Sequence, residues 1–402
     1  MKQRLRDALA DFWEVHNAKL ITLLLTLAAA LVGAVTNQEV RDPLKVPVEV
    51  LKEVIKEVPV VTDPNDPFSY PDGWVDDKPA VQAMIAQFGP PVFGETPAGS
   101  VQDMPKAVYS WKLYEKLPIR GPPIKSQGGV GSCVSFGTNR AAENSLAAEI
   151  VTGNRPYEWA RFAEEVTYGL SRVEIGGGRI RGDGSVGAWA AQALVKYGLV
   201  PRGKYGNTDL SVYNESRCRQ YGASGVPSDI EAVAKKFVVA STAQITNWGD
   251  GKKAIANGYS IAICSNVGFN NRNGTVGTRD SRGVIMPNGT WNHCMCADGY
   301  HTDVDGTEYV HITNSWGGNT HGGPVGWGDP PTDGFWTPAS VVERMLRQGD
   351  SWTFSGIAGF PRRTLPDGFI LNEPVWQNGR NPSALVLNRP RALQDVDVLL
   401  AW

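Results

Sequence analysis

Helical patterns gather in the first half of residues 104–360 and strand patterns in the second, and that order predicts an α+β fold with two differently built halves. The 45 glycines and 27 prolines point the same way, to a loop-rich domain rather than a helical bundle. With 42% hydrophobic and 20% charged residues over 402 positions, the chain has ample material for a large core. Its 39 basic and 41 acidic residues leave a formal net charge of -2, so no basic surplus is present to neutralise phosphates, and nucleic acid is not expected as a partner.

Residues 1–19 form an amphipathic, charged start that carries Lys2, Arg4, Arg6 and Lys19 together with Asp7, Asp11 and Glu14. The stretch "LITLLLTLAAALVGAV" from Leu20 to Val35 carries no charge, and residues 20–37 approach the ~20 positions that span a bilayer. Basic residues are denser before it than after it. The expectation is therefore a transmembrane anchor with the large domain on the outer, non-cytoplasmic side. A cleaved signal peptide and a buried core helix are the alternatives, and a secreted or virion-borne protein is the corresponding alternative location. Residues 38–103, rich in Val, Lys, Glu and then Pro, Asp and Gly, read as an extended stalk or linker with one short helix at Lys78–Phe88. Residues 361–402 read as a C-terminal tail without recognisable chemistry.

Within the domain, "CVSFGTNRAAENSLAAEIVTG" is helical and closes at Gly153, and "SVGAWAAQALVKYGL" is a second helix closing at Gly198. "SDIEAVAKKF" and "GDGKKAIANG" supply two shorter ones. "YSIAICS", "HCMCADGYH", "EYVHITNSW" and "GFWTP" read as strands. The five cysteines, at 133, 218, 264, 294 and 296, are odd in number and include no Cys-x-x-Cys pair. Neither a disulfide framework nor a zinc site is expected, and packed thiols are the default reading.

"KSQGGVGSCVSFG" sets Cys133 where a glycine-rich turn meets a helix, a position whose unsatisfied N–H groups and dipole favour a thiolate. Gly131 and Ser132 leave room for a substrate backbone, and Gln127 is placed to donate to an oxyanion together with the Cys133 N–H. Five histidines offer a base: His16 lies outside the domain, His301 and His311 look like solvated strand ends, and His321 sits in a glycine-rich loop. His293 opens an apolar strand after a turn and is the preferred candidate. Asn314, at the end of the next strand, is suited to hold an imidazole in one tautomer, with Trp316 shielding that bond.

"SQGGVGSCVSF", "NHCMCADGY" and "YVHITNSWGGN…GWGDPPTDGFW" together resemble the papain-like cysteine peptidases, in the order Gln, Cys, His, Asn, over about residues 104–360. The resemblance implies a two-lobed domain, with a helical left lobe and an antiparallel β right lobe. It also implies a thiol peptidase acting on polypeptides without a cofactor or metal. Its catalytic residues would be Cys133, His293, Asn314 and Gln127, and its substrate groove would be lined by Gly131, Ser132, Gly184, Ser185, Asn292 and Trp316. Departures are equally plain. Val134 stands where the family usually has Trp, Val130 stands where a bridging cysteine is usual, and the groove glycines are matched only by "GDGS". No inhibitory propeptide helices are recognisable in residues 36–103. The alternative from another class is a weak or inactive papain-fold component of a larger assembly, such as a phage particle or envelope complex.

Overall fold

The computed structural model describes residues 73–119, 121–153 and 158–366, and the backbone of 370–371. The anchor expected at residues 20–37 lies outside the described residues. Among those described, no helix is long and apolar enough to cross a membrane.

The first element is α1 (Lys78–Phe88), where the sequence placed it. Asp77 accepts from the Ala80 N–H at its start, and Gly89 closes it in the left-handed conformation. It packs Ala80, Val81 and Met84 against the helical half, next to Trp189 and Leu194. This corrects the stalk reading for residues 73–103. Trp74, Phe93 and Ala98 are also buried, so this stretch belongs to the folded body. Its Pro-, Asp- and Gly-rich composition looks like a linker because the apolar residues are sparse; Trp74, Val81, Met84 and Phe93 are nonetheless buried, while Phe88 stays exposed.

The helical half is built on α2 (Cys133–Val151), 19 residues long and buried on nearly every face. Its small residues permit close approach: a Cβ on Gly137 would lie 2.8 Å from the Met295 carbonyl oxygen. Around it stand α3 (Glu164–Gly169), continued by a wider π turn at Leu170–Ile175, and α4 (Gly187–Lys196). Two further helices, α5 (Glu215–Ser224) and α6 (Ser228–Ala234), complete this half around Val166, Leu170, Tyr221 and Ile230. The terminal glycines Gly153 and Gly198 adopt φ of 74° and 95°, as their closing role requires.

The second half is an eight-stranded sheet. Its members are β1 (Ala107–Tyr109), β4 (Ser241–Gln244), β5 (Ile261–Val267), β6 (Thr290–Thr302), β7 (Glu308–Thr313), β8 (Gly334–Pro338), β9 (Ser351–Ser355) and β10 (Ile370–Leu371). A separate two-stranded ribbon joins β2 (Lys204–Tyr205) to β3 (Thr208–Asp209). The order is β10-β1-β6-β5-β9-β4, with β7 paired to both β6 and β8, and all the pairings are antiparallel. Thirteen-residue β6 is the hub, pairing with β1, β5 and β7 along its length. Two helices, α7 (Trp248–Ala256) and α8 (Ala339–Leu346), cover a core of Ile261, Ile263, Met295, Val310, Ile312 and Phe335. The body also extends past residue 360. Leu365 is buried, Arg363 pairs with Glu149 at 2.6 Å, and β10 adds to the sheet edge, so the first part of the tail expected from residue 361 belongs to the folded body.

One cysteine expectation is corrected. Cys264 and Cys294 are directly opposed on β5 and β6 and form a disulfide; Cys133, Cys218 and Cys296 are buried thiols. Sequence spacing gave no sign of the pair because only strand register brings positions 30 apart face to face.

Candidate active site

Cys133 is the first residue of α2, with Ser132 before it in a non-helical conformation and no side chain capping the helix start. The thiol thus sits, fully buried, at the positive end of the helix dipole. Burial pushes the thiols of Cys218 and Cys296 well above the ordinary range, which keeps both in the neutral form.

Strand β6 supplies His293, which is also buried. Its Nε2 bonds to Asn314 Oδ1 at 2.8 Å across the β6–β7 junction. Trp316 lies over the imidazole at 4.6 Å between ring centroids and 29° between planes, and Trp291 closes edge-on against Trp316. Burial lowers the imidazole pKa to about 4 against the opposing effect of the Asn314 bond. His293 Nδ1 has no hydrogen-bond partner among the described residues. His293 and Asn314 are thus hydrogen-bonded to each other, with Trp316 stacked on the imidazole.

Gln127 is fully buried and linked to the Asn314 turn twice. Its backbone N–H donates to Ser315 O at 2.8 Å, and its side-chain Oε1 accepts from Ser315 Oγ at 2.7 Å. Nε2 carries two hydrogens, one of which goes to Val130 O at 2.9 Å. This bond orients the amide with its nitrogen toward the start of α2.

The expected groove residues are brought together, and the chain itself runs along them. Gly73 N and Trp74 N both donate to Asn292 O, at 3.0 and 2.9 Å. On the other side Ser185 N donates to Gly73 O at 2.8 Å, and Val75 N donates to Ser185 O at 2.9 Å. Residues 73–75 are therefore an extended strap bridging the helical half at Ser185 and the sheet half beside His293. A Cβ on Gly73 would lie 2.9 Å from Cys133 Sγ and closer still to the Gly131 carbonyl oxygen, so the strap passes directly over the thiol. Gly184, at φ 119°, has Gly73 O and Val75 against it, and its carbonyl accepts from Arg172 Nη1. Ser132, the residue before Cys133, bonds Tyr213 through its hydroxyl at 3.2 Å. The strap is anchored by the Trp74 indole, which donates to the buried Asp350 carboxylate at 2.8 Å. Asp350 also receives Gly187 N and Ala188 N, both at 2.7 Å, and so caps α4 as it holds the strap.

The other histidines correct the sequence reading. His301 and His311 are buried, not solvated: His301 Nδ1 bonds Tyr109 Oη at 2.9 Å, and His311 Nδ1 bonds Asp298 Oδ1 at 2.7 Å. Both face the cluster of Trp111, Trp327 and Trp336, on a different part of the sheet from Trp316. His321 is fully buried and touches Asn314, its Nε2 standing 3.1 Å from Asn314 Nδ2. Sequence reasoning passed over it because a glycine-rich loop looks exposed; the signal available was its position seven residues past Asn314 within "NSWGGNTHGG".

No family model matches the chain. Cysteine proteinase 1 of Entamoeba histolytica is 28% identical over 228 residues, 56% of this chain and 61% of that protein, so the chain spans less than two thirds of that relative's length. Among solved structures the chain is similar to xylellain, a cysteine protease from Xylella fastidiosa. That likeness is 17% identical with a TM-score of 0.45, covering 74% of this chain and 100% of that one. It is also similar to the bromelain protease from Ananas comosus at 17% identity and a TM-score of 0.42, covering 62% and 99%. A recombinant stem bromelain precursor gives 14% identity and a TM-score of 0.47, covering 88% and 98%. The chain resembles the papain-like cysteine peptidases, and its own architecture, a helical half beside an antiparallel sheet, is the one that resemblance implied.

Proposed function

We propose that the protein is a cysteine-type peptidase that hydrolyses peptide bonds through Cys133, His293 and Asn314, with Gln127 as an oxyanion donor. The observation that carries this reading is the 2.8 Å bond from His293 Nε2 to Asn314 Oδ1 under Trp316, which leaves Nδ1 as the nitrogen that exchanges a proton with Cys133. Cys133 gives its proton to Nδ1, and the helix N-terminus stabilises the thiolate. Sγ then attacks the scissile carbonyl carbon. The oxyanion is met by the Cys133 N–H and Gln127 Nε2, and the imidazolium protonates the departing amine. Water, deprotonated by Nδ1, attacks the thioester, releasing the acid and restoring the thiol. Asn314 keeps the imidazole in the tautomer that both half-reactions use.

In this reading the strap 73–75 holds a resting form closed, since a polypeptide substrate needs the hydrogen bonds that Ser185 and Asn292 now make to Gly73, Trp74 and Val75. Residues 20–37 would tether the enzyme to a membrane with the catalytic domain on the outer side, and partition of the full chain into a detergent phase tests that part alone. The central test is labelling by an epoxide or vinyl-sulfone thiol probe, together with hydrolysis of a peptide library. With the strap released by Trp74→Ala the protein should label and cleave, and adding Cys133→Ala should abolish both. A non-catalytic assembly component is the second reading, favoured by the complete burial of Cys133 beneath the strap. It would win if releasing the strap exposes the thiol and still yields no cleavage.

A further inference from the structure

An asparagine amide is nearly symmetric in shape but opposite in hydrogen bonding at its two ends, so something must decide which end faces His293. At Asn314, Oδ1 accepts from His293 Nε2 at 2.8 Å and from Ser315 N at 2.7 Å. The other end, Nδ2, meets His321 Nε2 at 3.1 Å. The far nitrogen of that second imidazole, Nδ1, lies 3.2 Å from the Gly277 carbonyl oxygen. A carbonyl only accepts, so Nδ1 must carry the proton, and in a neutral ring Nε2 is then the acceptor.

We infer that His321 is a positioning residue of this site, holding Asn314 so that its oxygen faces His293. Polarity runs one way along four groups. The Gly277 carbonyl selects the His321 tautomer, His321 Nε2 selects the Asn314 amide orientation, and Asn314 Oδ1 selects the Nε2–H tautomer of His293. The result is a bare His293 Nδ1, the atom that receives the Cys133 proton. With the amide reversed, Nδ2 would confront the His293 Nε2–H, and the proton would move to Nδ1, where it blocks transfer from the thiol. The inference rests on the peptidase reading for its catalytic consequence, although the hydrogen-bond order itself does not.

The surroundings suit this task. His321 is fully buried, with the Phe335 ring edge-on at 4.7 Å between centroids, and the Trp316 and Trp291 rings at 6.4 and 6.5 Å. Burial, only partly opposed by the Gly277 bond, lowers its pKa to about 3, with the nearby positive charge of Arg279 adding to the effect. The ring therefore stays neutral, and Nε2 stays an acceptor, at any pH where a thiol–imidazole pair works. The loop is braced to return the ring to Asn314: Thr320 Oγ1 donates to Trp316 O at 2.8 Å and Gly322 N to Asn319 O at 3.1 Å.

Imidazole nitrogen NMR of the full chain, labelled at histidine, reads the tautomers directly and needs neither substrate nor an open groove. The expected result is His321 protonated at Nδ1 and bare at Nε2, with His293 protonated at Nε2. A proton on His321 Nε2 overturns the inference. Kinetics supply the second arm. His321→Phe keeps a ring against Phe335 and Trp316 but has no acceptor, whereas His321→Gln restores an acceptor without the ring. Phe should lower kcat about tenfold with KM little changed, and Gln should recover most of the loss. Added to Asn314→Ala, His321→Phe should cost nothing further, because its action passes through Asn314. Equal losses from His321→Phe in both backgrounds would assign a packing role only and overturn the inference. If the protein with its strap released by Trp74→Ala cleaves no peptide, the peptidase reading falls, and the tautomers alone then decide whether His321 orders Asn314.

Discussion

Gln127 shows how one side chain serves two neighbours at once. Its backbone and its Oε1 are tied to Ser315, beside Asn314, while its Nε2 points to the start of α2. Gln127→Ala should therefore lower kcat by about 10²-fold, the usual cost of one oxyanion donor, with KM little affected. Steady-state kinetics on a fluorogenic peptide check this, and an unchanged kcat would remove Gln127 from the oxyanion role. Lys125, two residues earlier, makes the complementary point about stability. It is buried between Glu143 and Glu164, at 2.8 Å from each. Burial by itself raises the Glu164 carboxyl, but Lys125 and Arg202 outweigh it and hold the pKa at about 2. Removing the ammonium in Lys125→Met leaves two buried carboxylates short of a partner, and urea unfolding should show a loss of about 3–5 kcal/mol.

At the scale of elements, the strap and α1 act together. Trp74 is held by its indole bond to Asp350, and α1 is seated on the helical half just beyond it. The strap passes over Cys133 only because residue 73 is glycine; a methyl there meets the Gly131 backbone and the thiol. Two substitutions should accordingly open the groove. Gly73→Ala displaces the strap by steric contact, and Trp74→Ala removes its anchor at a further cost in stability of about 3–5 kcal/mol. Both should speed alkylation of Cys133 by a small reagent such as iodoacetamide, by roughly tenfold for each ~1.4 kcal/mol of strap stability lost. Alkylation rates identical to wild type in both would show that the strap does not guard the thiol.

For the whole molecule, buried histidines set the response to acid. His293 and His301 have pKa values lowered to about 4, and His321 to about 3, each from an ordinary 6.5, with burial the main cause. The unfolded chain takes up a proton on each near pH 6.5, whereas the folded chain does so only near 4 or below. Between those values the unfolded state binds more protons, so stability is full above 6.5 and is lost as pH falls toward 4. Each histidine contributes a slope approaching about 1.4 kcal/mol per pH unit in that window. Burial raises the Asp333 and Asp350 carboxyls, which act in the opposite sense at the acid end, so a variant isolates the histidine share better than the wild-type curve does. His301→Phe, remote from Trp316, should flatten the dependence of Tm on pH between 6.5 and 5, measured by calorimetry. An unchanged slope would mean that His301 titrates normally in the folded protein.

How much of this was legible beforehand follows from range. Local signals carried α1 from Lys78 to Phe88, the start of α2 at Cys133 with its closing Gly153, and the strands around His293 and Asn314. They sufficed because a cap, a periodicity or a turn is written in consecutive residues. The ordered set Gln127, Cys133, His293 and Asn314 was legible for the same reason: each motif is local, and their succession needs no geometry. Three features escaped, and each depends on contacts across long separations. The Cys264–Cys294 pair follows from the register of β5 against β6, which nothing in either strand's composition announces. The strap at Gly73–Val75 looked like linker because extended chain has no periodic signature, and its role comes only from the two walls, Ser185 and Asn292, that accept it. His321 looked exposed among glycines and is buried, because that loop folds back onto Asn314. The sequence by itself determined which segments carry the candidate residues Gln127, Cys133, His293 and Asn314. The tertiary structure alone decided which of them meet, because burial, tautomer and access are properties of the surroundings, and the surroundings come from distant parts of the chain.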